Sequence, residues 1–186
     1  MKILSLSVCA VLGFALHAAA QVPIGPGALK LGKIKPEIVK TPDFTIKSGP
    51  EKRSKAGDWL EIEVDFETKA EEIDEIMFQY TIQFEGKLLD GQVTHVNIPK
   101  GREHYSVMYV SPRTLEKLTG GKTVTAGNVQ NVWVVASKQG QIIDREAIKK
   151  VEIPNLPHLT GMILNKMETP FAPLYFDRYE AIKTAK

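Results

Sequence analysis

The feature that most constrains the fold is a strict alternation of apolar and polar side chains. A period of two indicates strands that bury one face and expose the other. The stretch EIMFQYTIQFE (75–85) follows this period, and so does DWLEIEVDFET (58–68). One face of each stretch is apolar, formed by Leu60, Ile62, Val64 and Phe66 in the first and by Ile76, Phe78, Tyr80, Ile82 and Phe84 in the second. The pattern predicts antiparallel sheet around an apolar core.

Further short strands and turns fill the region from residue 43 to residue 153. Strands are predicted at 87–89, 92–98, 103–110, 129–137 and 141–153. Turns are predicted at Glu85-Gly86, Asp90-Gly91, Lys100-Gly101 and Gln139-Gly140. Ser111 and Pro112 predict the start of one short helix, and Gly120 predicts its end. The fold class predicted is all-β: an immunoglobulin-like antiparallel β-sandwich with one short helix, with Trp133 buried between the sheets. An eight-stranded barrel is the alternative.

The two ends of the chain differ in composition from this region. Residues 1–20 combine Lys2, an apolar run and Ala18-Ala19-Ala20, a pattern typical of a cleaved signal peptide. Residues 21–42 are predicted to form an extended basic, proline-rich arm, part of which forms an edge strand. Residues 154–186 form a tail rich in proline and aromatic residues, which packs on the sandwich or on a partner.

Export and cysteine content narrow the classes of function. Cys9 is the only cysteine and lies within the predicted signal peptide. The mature chain would then have no disulfide, no thiolate metal site and no cysteine nucleophile. No cofactor is expected, and no membrane span is expected after the signal. The predicted location is periplasmic, outer-membrane-associated or extracellular.

An acidic row lies opposite the apolar face of residues 58–68. Its members are Glu61, Glu63, Asp65 and Glu67, about 6.6 Å apart along one side of a strand. Carboxylates on one straight strand cannot converge on a calcium ion. We therefore expect a solvated or partner-facing row rather than an active site. The basic residues are spread along the arm without interleaved aromatic residues, so no nucleic-acid partner is expected.

Two histidines are the low-ranked candidates for a metal site. If residues 92–98 and 103–110 formed a hairpin, His95 and His104 would be diagonal neighbours. A zinc site needs three or four ligands, and the spacing supplies no third. Two ordinary surface histidines are the preferred interpretation, and no catalytic residue is assigned.

Aromatic side chains supply the remaining candidates for binding. Trp59 shares the parity of the acidic row and is a candidate for stacking on a sugar ring. The tail concentrates Phe171, Tyr175, Phe176 and Tyr179, which either cover the chain's own sandwich or dock on a partner. The first alternative is preferred.

The tail motif ETPFAPLYFDRYEAIK (168–183), together with the strand pattern of residues 58–153, resembles a group of small exported proteins from verrucomicrobial bacteria. These include species of the gut mucus, and some are encoded beside type IV pilus-like genes. The resemblance implies an immunoglobulin-like sandwich with no known catalytic residues. The signal peptide departs from that of a polymerising pilin, since it looks like an ordinary cleaved one.

Three functions stay open from the sequence. The preferred one is a non-enzymatic exported protein that acts through protein partners, or through self-association, as an accessory or surface component of a pilus-like or outer-membrane assembly. The first alternative is a glycan-binding module for adhesion to mucin. The second is a small metal-dependent hydrolase that uses the two histidines and the carboxylates.

Overall fold

The fold is described from a computed structural model that covers residues 27–44, 56–175 and 177–184. The predicted signal peptide lies outside the described residues. Within them, strands β1 to β7 form a single seven-stranded sheet, and there is one α-helix. All strand pairs are antiparallel except one, which confirms the prediction of an all-β, mostly antiparallel fold.

The sheet is built on one long two-stranded ribbon. Strand β2 runs over Asp58–Phe84 and strand β3 over Lys87–Val110. The two strands pair from Phe84↔Lys87 at the turn to Leu60↔Val110 at the far end. Glu85 and Gly86 form the turn with positive φ angles of 47° and 70°, as the sequence predicts. Glycine adopts such angles readily, which explains the presence of Gly86 at the second position of the turn.

The ribbon changes register near its middle and so contributes to both layers. The register shifts between Phe66 and Glu72, opposite Pro99 and Gly101. The Thr68 hydroxyl donates to the Pro99 carbonyl at 2.7 Å and accepts from the Gly101 amide at 3.0 Å. These bonds satisfy backbone groups that the ladder leaves unpaired at the bend.

The other strands complete the layers on either side of the ribbon. One layer holds β1 (Leu29–Lys40), the first half of β2, the second half of β3 and β7 (Ile163–Asn165). The other holds the remaining halves with β4 (Val129–Lys138), β5 (Gln141–Ala147) and β6 (His158–Thr160). β6 is the strand that pairs in parallel, along Leu88–Asp90 of β3.

The core lies between these layers and consists of the predicted alternating residues. All nine apolar side chains predicted to point inward are buried, at 1% exposure or less, together with partners from β1, β4 and β7. Phe66 and Phe78 meet with ring centroids 5.0 Å apart. The layers are also joined by polar contacts, since the Leu31 amide of β1 donates to the Asp144 carboxylate of β5 at 2.7 Å.

Helix α1 (Pro112–Thr119) has the ends that the sequence predicts. The Ser111 hydroxyl accepts from the Thr114 amide at 3.2 Å, and Gly120 ends the helix in the left-handed region with φ 66°. Leu115 anchors the helix to the core at 2% exposure.

Two of the predicted turns are wrong. Asp90-Gly91 and Lys100-Gly101 lie inside β3, so residues 92–98 and 103–110 are parts of one strand and not the arms of a hairpin. Gly91 has a packing role instead of a turn role, because a Cβ there would lie 2.6 Å from the Ile163 side chain of β7. Trp133 is buried, but on the outer face of β4, where its indole N–H donates to the Val151 carbonyl at 2.8 Å. The prediction that it lies between the sheets is therefore wrong.

We expect Gly91→Ala to lower the free energy of unfolding by about 1–3 kcal/mol, because the new methyl group overpacks the contact with Ile163. Gly127→Ala is the matched control, since its Cβ would meet nothing nearer than 3.5 Å and should change stability by less than about 0.5 kcal/mol. Urea unfolding of the two variants measures the difference. Equal stabilities would contradict the close approach of β7 to β3.

Candidate functional site

The outer face of the β1-containing layer is covered by the end of the chain. We call residues 166–175 and 177–183 the C-terminal strap. The strap starts with a 3₁₀ turn at Lys166–Glu168, crosses the outer face of β2 and β3, and ends beside the ribbon bend. Its last part continues the β3 edge: the Val96 amide donates to Ala181, and the Lys183 amide donates to Thr94. The preferred interpretation, in which the tail covers its own sandwich, agrees with this path.

An aromatic cluster joins the strap to the sheet. Phe171 stacks on Tyr109 with centroids 4.6 Å apart and meets Trp59 edge-on at 5.7 Å. Trp59 is only 8% exposed, and its indole N–H donates to the Thr41 hydroxyl. The prediction of an exposed, sugar-stacking Trp59 is therefore wrong, because the strap and Thr41 cover the ring.

The acidic row is partly covered by the strap rather than solvated. Arg178 donates two hydrogen bonds to the Glu63 carboxylate, at 2.8 and 3.0 Å, and the Tyr179 hydroxyl donates a third at 3.0 Å. Burial alone would raise the pKa of Glu63, but the bonds from Arg178 and Tyr179 outweigh it and hold the pKa below its ordinary value. The Arg178 guanidinium also lies 3.9 Å from the centre of the Tyr105 ring.

The other members of the row have separate environments. Asp65 accepts from the Lys33 amide at the bulge in β1, where a side chain at Gly32 would collide with its carboxylate. Glu67 is half-buried opposite Lys30. Glu61 is half-buried opposite Glu37, and burial raises its pKa. The four carboxylates therefore do not converge, as the sequence predicted, but the expectation of a wholly solvated row is wrong.

A cleft of about 750 Å³ remains between the strap and β1. Glu61 and Glu63 of β2 lie in it, and Lys35, Glu37 and Val39 of β1 line one wall. The aromatic side chains of Tyr175 and Tyr179 and the guanidinium of Arg178 line the opposite wall. The cleft combines rings with charges of both signs, which suits the recognition of a polar group.

The aromatic residues of the tail lie partly in the buried cluster and partly at the surface of the cleft. Tyr175 is 57% exposed and has a positive φ of 53°, which is unusual for a tyrosine. It meets Tyr179 edge-on at 6.5 Å. Phe176 lies outside the described residues. Of the four aromatic residues that the sequence singled out, Phe171 belongs to the buried cluster, and Tyr175 and Tyr179 belong to the cleft.

The two histidines are buried inside the sandwich, so the expectation of surface histidines is wrong. His95 is 1% exposed and His104 is 5% exposed, on either side of the bend in β3. The Tyr80 hydroxyl donates to Ser106, and Ser106 lies 2.7 Å from Nε2 of His95. Nδ1 of His95 then donates to the Glu180 carbonyl of the strap. This chain of bonds fits one neutral tautomer of His95.

His104 is bound to the same part of the strap. Its Nδ1 lies 2.6 Å from the Glu180 carboxylate, and its Nε2 lies 3.3 Å from the Thr68 hydroxyl at the bend. The arrangement therefore fastens the strap to the inside of the ribbon. Among the described residues, no group of three histidine, cysteine, aspartate or glutamate side chains could hold a metal ion. Ser106 is fully buried beside His95, so the contact is closed to a substrate as it stands.

The sequence pattern did not single out Ser106, Arg178 and Glu180. The signal was available in HYSVMYV (104–110), where the aromatic and apolar residues Tyr105, Val107 and Tyr109 alternate with the inward-facing set. Both faces of that strand are thus apolar in part, which indicates that both are covered.

A second surface feature lies on the outer face of β4 and β5. A groove of about 570 Å³ runs between these strands and residues 150–153, with Trp133 and Val135 among the residues that line it. Val151 is 58% exposed and Ile153 is 47% exposed at its rim. The predicted strand 141–153 is wrong beyond Ala147, where β5 ends, and residues 150–153 instead form one side of this groove.

Comparisons with known proteins place the chain in a family. A family model matches residues 20–186, which is most of the chain. The chain belongs to that family. No curated protein matches the sequence significantly.

A solved structure has the same fold as this chain. It is a crystal structure of a protein from Akkermansia muciniphila, a verrucomicrobial gut bacterium, with 23% identity and a TM-score of 0.72. The alignment covers 85% of this chain and 94% of that chain. At the level of the fold, this likeness supports the resemblance to immunoglobulin-like proteins of verrucomicrobial bacteria. In the described part of this chain, no helix has the length and apolar character needed to cross a membrane.

The Glu63–Arg178 pair should stabilise the docked strap. We expect Arg178→Met to cost about 1–2 kcal/mol of unfolding free energy, because it leaves a mostly buried carboxylate without its main partner, while the partial exposure of Arg178 limits the loss. The double variant with Glu63→Gln should cost less than the sum of the single changes. Lys100→Met, which removes the exposed pair with Glu71, is the control and should change stability by less than about 0.5 kcal/mol. Additive effects in the cycle would contradict the coupling.

Because His95 is buried, we expect the folded protein to lose stability in acid. Burial lowers its folded-state pKa to about 4, while the unfolded value is near 6.5. The unfolded chain therefore binds a proton first, so stability is full above pH 6.5 and falls as the pH drops from about 6.5 to 4. Between pH 7 and pH 5 the wild type should lose about 2 kcal/mol more unfolding free energy than His95→Gln does. Parallel losses in the two proteins, measured by urea unfolding at both pH values, would contradict this.

Proposed function

We propose that this protein is a non-enzymatic exported component that works through protein contacts, as an accessory or surface part of a pilus-like or outer-membrane assembly. The observation that carries the proposal is the groove on β4 and β5. It presents large apolar side chains to solvent, whereas the other candidate surfaces are largely taken up by the chain's own strap. Exposed apolar side chains around a concave surface are typical of protein interaction sites.

Two further observations support the proposal. The family match begins at residue 20, next to the predicted start of the mature chain, which agrees with export. The inward-facing histidines, serine and tyrosine form a closed network fastened to the strap, which agrees with a structural role for them. The location after export is proposed to be periplasmic, outer-membrane-associated or extracellular.

The aromatic ring and the two histidines that motivated the alternative functions are buried. A glycan site that depends on Trp59 has no exposed ring to offer. A hydrolase that depends on His95 and His104 would need both side chains to be reached by substrate, and both are buried.

We expect the double variant Val151→Asp, Ile153→Asp to abolish most crosslinks to partner proteins in intact cells, because charge at the rim prevents apolar contact. Both residues are exposed, so the stability of the isolated domain should change by less than about 0.5 kcal/mol. Met167→Asp, at a residue of the strap that is 54% exposed, is the matched control and should keep the crosslinks. Recovery of the wild-type protein only as a free monomer would contradict the proposed function.

A further inference from the structure

The cleft between β1 and the strap contains a carboxylate that lacks a cation. Glu61 and Glu37 face each other across β1 and β2, an arrangement of like charges that destabilises a strand pair. Of the cations beside them, Arg178 is bound to Glu63 and Lys40 is paired with Asp58, and Lys35 lies opposite Glu63 rather than opposite Glu61 or Glu37. The described residues form no ion pair with Glu61 or Glu37.

A second and independent observation points to a missing group at the same place. Tyr109 is fully buried, and its hydroxyl has no hydrogen-bond partner. The hydroxyl lies beside the Glu61 carboxylate but does not meet it in hydrogen-bond geometry. A buried hydroxyl without a partner is costly, so its position calls for a ligand or a movement of Glu61 that would pair it. Burial also raises the pKa of Glu61.

The neighbouring half of the same surface shows which group such a site accepts. There the Arg178 guanidinium is held by the Glu63 carboxylate and lies on the ring of Tyr105, with Tyr179 donating to the same carboxylate. The open half offers the same types of group: the carboxylates of Glu61 and Glu37, and the exposed ring of Tyr175. Carboxylate and aromatic ring together favour a cation, and the cleft is wide enough for a long side chain.

We propose that this cleft binds a lysine or arginine side chain of a partner protein, with Glu61 and Glu37 as its counter-ions and Tyr175 as its aromatic wall. Glu61 accepts hydrogen bonds from the cationic group. This site names a chemistry for the partner, and it depends on the proposed function only in that the cation belongs to a protein.

The left-handed backbone at Tyr175 fits this role. A tyrosine at positive φ is strained relative to the ordinary regions, and such residues persist where the surroundings fix them. The conformation keeps the ring more than half exposed at the wall of the cleft rather than within the buried cluster around Phe171.

The test is a titration of the ¹⁵N-labelled chain, followed by NMR, with Nα-acetyl-lysine N-methylamide and with the arginine analogue. The matched probe is the norleucine analogue, which has a similar apolar chain without the charge. We expect saturable shifts at the amides of Glu37, Glu61 and Tyr109 with the cationic probes, and affinity weaker by about tenfold or more for norleucine. Glu61→Gln should weaken the cationic probes by a similar factor. Glu67→Gln, which belongs to the same row but lies outside the cleft, should leave the affinity unchanged.

Each other outcome overturns the inference. Equal shifts from norleucine would show an apolar site, and saturation by calcium chloride at the same amides would show an inorganic cation site. An absence of saturable shifts at tens of millimolar probe would show that the cleft does not take a cationic side chain. The probes are small molecules, so this result is independent of whether the rim of the β4–β5 groove captures a partner in cells. Failure here with crosslinks retained removes only this inference.

Discussion

The fold depends on one constraint: the β2–β3 ribbon has to bend while its backbone groups stay paired. A straight ribbon of this length would leave its apolar face in water. The bend brings the two halves of that face together, and Phe66 and Phe78 meet close to it. Thr68 satisfies the backbone at the irregular point, since its hydroxyl binds both Pro99 and Gly101. Pro99 lacks an amide donor and is suited to a place where the ladder is interrupted.

The strap follows from this bend. The opening between the layers beside it contains His95, His104 and Ser106, polar groups that need partners once they are buried. Glu180 supplies partners for the two histidines through its carbonyl and its carboxylate, and Ser106 bonds to Tyr80 and His95. The same strap then satisfies Glu63 on the outer face through Arg178. One segment therefore completes the polar contacts on both sides of the sheet, which is why its aromatic and charged residues are largely part of the fold.

The sequence predicted the elements whose pattern is local. The alternation in residues 58–68 and 75–85, the helix caps at Ser111 and Gly120 and the turn at Gln139-Gly140 depend on neighbouring residues, and each is found in the structure. The sequence did not predict β3 as one continuous strand, because Asp90-Gly91 and Lys100-Gly101 have the composition of turns. Their glycines instead allow close approaches: Gly91 to Ile163, which is distant in sequence, and Gly101 to the ring of His104.

The candidate site was predictable in part for the same reason. The sequence pattern identified both the acidic row and the aromatic tail, but it did not show that they contact each other. Glu63 and Arg178 are far apart in the chain, and only the tertiary fold joins them. Trp59 shows the limit of parity arguments. Period two correctly placed it on the outer face, but it could not show that this face is covered.

The central claim is that the strap is an integral part of the sandwich that closes the bend. Native-state hydrogen exchange measures this at single amides. The amides of Val96, Glu180 and Lys183, which bridge strap and ribbon, should be protected with free energies close to those of the core amides of β2. Exchange of the Glu180 and Lys183 amides at the rate of an unfolded peptide, while β2 stays protected, would contradict the account.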